Sequence, residues 1–134
     1  MKTFFIAYIS FLIPMLAIDA VWLVVMSKKF YSSRIGSLMK ESPRLAPAVI
    51  FYLLYALGPT VFVVIRAVNH DTGYLKVFLF GALLGLVAYG TYDLTNEATL
   101  KTWPVVVTIV DLVWGALLTG VVSIISVSLT RLIL

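Results

Sequence analysis

Cysteine is missing from all 134 residues, and with it go disulfides, thiolate nucleophiles and thiolate metal sites. Histidine occurs once, as His70, so any metal centre would have to be built from oxygen ligands, and no spacing typical of a hard-cation site is present. The chain is therefore expected to hold neither metal nor cofactor. Charge is also scarce: 12% of residues are Asp, Glu, Lys or Arg, against roughly a quarter in soluble domains. The net charge of +4 is scattered over loops and helix ends, with no dense basic face for a phosphate backbone, which argues against nucleic acid as a partner. Nucleophile elbows, HExxH pairs, phosphate loops and dinucleotide fingerprints are absent too.

What the chain has in quantity is apolar surface, with 62% hydrophobic residues. A spanning helix needs about 20 mostly apolar residues to cross a core of roughly 30 Å. Four segments meet that need, at approximately 3–26, 47–68, 74–94 and 104–132. Lipid offers no partner to free backbone groups, so each segment predicts a helix. The expected fold is all-α: a polytopic membrane protein with four transmembrane helices in an antiparallel bundle, forming one membrane domain over 1–134. The first segment begins like a secretory signal, with Lys2 before an apolar run. That run is longer than a signal's core and Asp19-Ala20 is a poor cleavage site, so it reads as a retained span.

The connections differ in kind. SKKFYSSRIGSLMKESPRLAP is the one long polar segment, with room for a short interfacial helix over 30–39 that turns Phe30, Ile35, Leu38 and Met39 toward lipid. NHDTG reads as a tight turn, and TNEATLKTW is short enough to make the third and fourth helices antiparallel neighbours. Lys28, Lys29, Arg34, Lys40, Arg44 and Lys101 fall in the first and third loops, and Lys2, Arg66, Lys76 and Arg131 on the opposite side. This excess predicts that loops one and three are cytoplasmic.

Alternating helix directions place three carboxylates in one leaflet. Asp19 lies seven residues before Met26 and Asp111 seven after Pro104, so each is about 10 Å inside its helix end. Asp93 falls near the end of the third helix, where YDLTNE enters a turn. Residues three or four apart share a helix face. Met15, Asp19, Trp22 and Met26 form one stripe, and Tyr52, Tyr55, Pro59 and Phe62 another that continues toward Arg66. The third helix carries Gly81, Gly85, Tyr89, Tyr92 and Asn96 with Asp93 at the edge, and the fourth carries Thr108, Asp111, Gly115, Thr119 and Ser126. Small residues among them let backbones approach, which predicts that the stripes face inward.

An ionised carboxylate in hydrocarbon costs at least about 2.5–3.5 kcal/mol, so an intramembrane acid is a functional candidate by default. The candidates for binding a ligand or a proton are Asp19, Trp22, Tyr52, Tyr55, Tyr89, Tyr92, Asp93, Asn96, Asp111 and Trp114. The plainer alternative is that tyrosine hydroxyls and indole N–H groups satisfy the acids and merely lock the bundle. Trp103 fits an interfacial belt, and His70 a solvated turn. Asp19-Ala20-Val21-Trp22 and Asp111-Leu112-Val113-Trp114 share the pattern DxVW, open to a pseudo-twofold pairing around one site or to coincidence.

Three functions compete on this reading. The first is a carrier or binding protein, a homo-oligomer in its simplest form, whose aromatics and carboxylates hold a cationic, amphipathic or lipid-like small molecule with proton-coupled release. The second is a membrane-embedded enzyme or enzyme subunit acting on lipid, with Asp93 or Asp111 as acid or base. The third is a structural accessory protein. Membrane lipid is a partner in every case.

The run YGTYDLTNEATLKTWP and the later VDLVWG, together with DAVW, FYSSRIGSLM and FYLLYALG, resemble a family of small bacterial four-helix membrane proteins known only as a domain of unknown function. The resemblance covers essentially the whole chain and implies a bacterial inner-membrane location and the four-helix layout. It also implies a link to fatty-acid modification, but brings no activity or catalytic residue. Four helices with an acid in the first also resemble small multidrug exporters in architecture alone, without their motif.

Overall fold

A computed structural model describes residues 1–134 and is 87% helix with no strand. Four helical runs are long and apolar enough to cross a membrane: Lys2–Leu38, Leu45–Asn69, Tyr74–Thr99 and Val105–Ile133. In chain order the α-helical pieces are α1 (Lys2–Met26), α2 (Ser32–Ile35), α3 (Leu45–Pro59), α4 (Ile65–Asn69), α5 (Tyr74–Thr99) and α6 (Val105–Ile133).

The first span does not stop at Met26. A π turn over Ser27–Tyr31 carries it into α2 and a 3₁₀ turn over Gly36–Leu38. The helix expected over 30–39 is thus a continuation of the first span. The wider π turn changes the angular phase of the residues after it, so Ile35 and Met39 line a cleft in the bundle instead of facing only lipid.

A second π turn, Thr60–Val64, joins α3 to α4 directly after Pro59. Proline has no N–H to donate and its ring crowds the carbonyl four residues back, and the wider turn relieves both problems. The buried positions from this turn onward are Thr60, Val63, Val64 and Ala67, while Phe62 is 68% exposed and Arg66 lies outside. The inward stripe expected through Phe62 toward Arg66 therefore breaks at the π turn.

The third helix runs to Thr99, beyond the expected end at 94. Thr91 and Thr99 donate their hydroxyls to the carbonyls of Val87 and Thr95 at 2.7 Å, and Thr95 donates to Thr91. Back-bonding of this kind leaves a polar run without free hydroxyls inside a helix. The buried line on α5 is Gly81, Gly85 and Asp93, with Tyr92 56% exposed, so Asp93 and not Tyr92 lies on the inward face.

The tightest packing joins α5 to α6. A Cβ built on Gly85 would stand 2.1 Å from the Gly115 carbonyl oxygen, and one on Gly115 would stand 2.4 Å from the Tyr89 ring. α1 packs on the other side of α6, where Ser126 Oγ donates to the Ala7 carbonyl at 2.9 Å amid a core of Phe11, Met15, Val64, Val122 and Val127. α3 packs on α1 but scarcely touches α5, whereas the π turn below it does pack on α5. The second and third spans thus meet in mid-bundle and part toward loop one.

Gly85→Ala should therefore destabilise the bundle by about 1–3 kcal/mol through overpacking. Gly58→Ala, where nothing lies within 4 Å of the new Cβ, should be neutral or stabilising by up to about 1 kcal/mol. The check is the midpoint of dodecyl-sulfate unfolding in mixed micelles, and equal effects at the two positions would contradict this packing.

Candidate functional site

The gap between α3 and α5 is a cleft of about 630 Å³ at the loop-one end of the bundle. Its walls come from all four spans and from the continuation of the first, and its two charged residues are Asp19 and Asp111.

Asp19 projects from α1 and is 5% exposed. One carboxylate oxygen accepts the Tyr52 hydroxyl at 2.5 Å and the other accepts Trp114 Nε1–H at 3.0 Å, so one side chain joins the first, second and fourth spans. Asp111 on α6 is 8% exposed and accepts a hydrogen bond from the Tyr31 hydroxyl. Tyr31 in turn accepts Trp22 Nε1–H at 3.2 Å. The Trp22 and Trp114 rings stack with centroids 4.0 Å apart and planes 8° from parallel.

The two DxVW runs therefore cross. Each indole serves the other run's acid, Trp114 directly and Trp22 through Tyr31. α1 and α6 are antiparallel, so the pairing has the form of a local twofold with a tyrosine inserted in one half.

On the far wall the Tyr55 hydroxyl bonds Thr119 Oγ1 at 2.8 Å, and its ring meets the Tyr89 ring edge-on at 6.1 Å. Tyr92 meets Trp103 edge-on at 5.8 Å, and Trp103 Nε1–H donates to Thr108 Oγ1 at 3.0 Å. Trp103, a belt residue by its place in the sequence, is thus also part of the cleft wall.

Of the ten candidates, Asp19, Trp22, Tyr52, Tyr55, Tyr89, Tyr92, Asp111 and Trp114 line this cleft. Asp93 and Asn96 do not. Asp93 is fully buried behind the wall, beside the Asp111 carboxyl, and neither of its oxygens has a hydrogen-bond donor. Asn96 lies one turn further on, where its carbonyl accepts the Leu100 N–H at 2.8 Å. Tyr31 is the main residue that sequence reasoning misses. Its polar neighbours read as a loop, and the only hint is its place in the FYSSRIGSLM run.

No Lys, Arg or His lines the cleft, and the protein's one salt bridge, Arg131 to Asp71, is at the opposite end. The acids are hydrogen-bonded but not neutralised by a basic partner, and carboxylates edged by aromatic faces favour a cation. No group of three His, Cys, Asp or Glu side chains is arranged to hold a metal ion.

Four apolar spans around a polar cluster define a small polytopic α-helical membrane protein. The chain belongs to the family described as Predicted membrane protein (DUF2177), whose pattern matches residues 4–128. Neither the curated proteins nor the solved structures provide a match.

If Asp19 is the tie between three spans, Tyr52→Phe should cost about 1–3 kcal/mol by leaving a buried carboxylate oxygen without its donor. Its effect should also shrink in an Asp19→Asn background, a coupling read by a double-mutant cycle on unfolding midpoints. Additive effects would show that the contact carries no energy.

Proposed function

We propose that this protein is a carrier or binding protein of the bacterial inner membrane for a cationic, amphipathic small molecule. The observation that carries the proposal is the composition of the cleft: two buried carboxylates, walls of Trp and Tyr, and no basic side chain. A volume of about 630 Å³ is in the range of sites for drug-sized ligands. The aromatic faces take the apolar body of the ligand, and Asp19 and Asp111 take its charge. Because the second and third spans part at this end, the ligand enters sideways from lipid as well as from the loop-one side, which the basic loops favour as cytoplasmic.

Asp93 supplies the coupling. Buried behind the cleft with no hydrogen-bond donor of its own, it is the place for a coupling proton, whose entry weakens the hold on the cation and favours release. Paired copies of the chain would supply a closed path across the bilayer, as a homo-oligomer.

Tetraphenylphosphonium is a suitable probe, with quenching of Trp22 and Trp114 fluorescence in detergent as the signal. Binding should weaken about tenfold or more in Asp19→Asn and in Asp111→Asn, a loss of about 1.4 kcal/mol or more. Tetraphenylborate, with the same shape and opposite charge, should not compete. Equal binding of both ions, or no change in either variant, would refute the proposal. Turnover of membrane lipid by the purified protein would instead favour an enzyme of lipid modification.

A further inference from the structure

The opposite end of the molecule has a second cleft, of about 770 Å³, between the end of α4 and the start of α5 around the turn at His70–Gly73. We propose that it is a binding site for an anionic phospholipid, separate from the carboxylate cleft and independent of the function proposed for it. Arg66, His70, Lys76 and one acid, Asp71, line its rim, and Phe62, Leu79 and Phe80 its floor.

Charge balance identifies the occupant. The side chains at this end include four cations, Lys2, Arg66, Lys76 and Arg131, and one acid, Asp71. Asp71 is already engaged by Arg131 Nη2 at 3.4 Å, and the same guanidinium nitrogen donates to the Ala67 and Thr72 carbonyls at 3.1 and 2.9 Å. Arg131 is thus committed to holding the turn. Arg66 and Lys76 have no acidic partner anywhere in the protein. Two unpaired cations on one cleft call for an anion from outside it.

The floor decides which anion. Phe62, Leu79 and Phe80 are 68%, 54% and 58% exposed. Phe62 is one helical turn deeper than Arg66, and Phe80 one turn deeper than Lys76, about 6 Å toward the bilayer centre. A cationic rim above an apolar floor at that offset matches a phosphate headgroup with its acyl chain beneath. Inorganic phosphate would leave the floor unused, and a zwitterionic headgroup would bring its own cation to a rim that already has two.

The test is native mass spectrometry of the detergent-solubilised protein titrated with phosphatidylglycerol or phosphatidylcholine. The wild type should retain phosphatidylglycerol selectively. In the double variant Arg66→Gln/Lys76→Gln retention should fall roughly thirtyfold, each removed charge being worth about a factor of five. Lys28→Gln/Lys29→Gln, which removes the same charge at the other end, should leave it unchanged. A second reading does not depend on that variant's folding: in Leu79→Trp, brominated phosphatidylglycerol should quench the new indole more strongly than brominated phosphatidylcholine. Equal retention of the two lipids, equal loss in the two double variants, affinity for inorganic phosphate as high as for the lipid, or equal quenching would each overturn the proposal.

Discussion

A carboxylate placed in hydrocarbon must be given hydrogen-bond donors by its own protein, because no water is there to supply them. At Asp19 this need organises the upper half of the bundle. Its two oxygens draw in Tyr52 from the second span and Trp114 from the fourth. With Trp114 placed, Trp22 can stack on it, and with Trp22 placed, Tyr31 is positioned between that indole and Asp111. The fold of the first connection stems from the same chain of contacts, since Tyr31 is reached only because the first helix continues through a π turn.

Against this polar network stands a different constraint on the other side of the bundle, where glycines bring α5 and α6 to backbone contact. Without a hydrophobic driving force between helices in lipid, such close approach is a main source of cohesion. It fixes the third span to the fourth, while the second span packs on the third chiefly at mid-bundle. Both clefts lie between these two spans: above the contact the spans part around an acidic aromatic cleft, and below it the turn at His70–Gly73 joins them beside a basic one. The two clefts thus differ in charge preference, although basic loop residues flank both ends of the bundle.

Much of this layout is legible in the sequence. Four apolar runs can only be helices in a bilayer, and alternating direction alone puts Asp19 and Asp111 in one leaflet. Side-chain spacing then finds eight of the cleft's residues, because helical periodicity is reliable where the helix is regular. It fails where the helix is not. The π turn after Pro59 shifts Phe62 out of its expected stripe, and the one after Met26 brings Tyr31, Ile35 and Met39 into the cleft from a segment that reads as a loop. Periodicity gives no warning of a π turn. Asp93 is misplaced on a helix that is regular throughout: the buried line steps by fours from Gly81 and Gly85 to Asp93, so the acid expected at the edge of the inward stripe lies on that line.

Whether the acidic cleft holds a lipophilic cation is tested most directly by a crystal structure of the protein with tetraphenylarsonium, because arsenic marks its own position by anomalous scattering. One arsenic peak is expected within the cleft, between Trp22, Tyr89 and Asp111, and it should be lost in Asp19→Asn/Asp111→Asn crystals. Arsenic bound elsewhere on the protein, or in the cleft with equal occupancy when both acids are gone, would contradict a cation site built on these carboxylates.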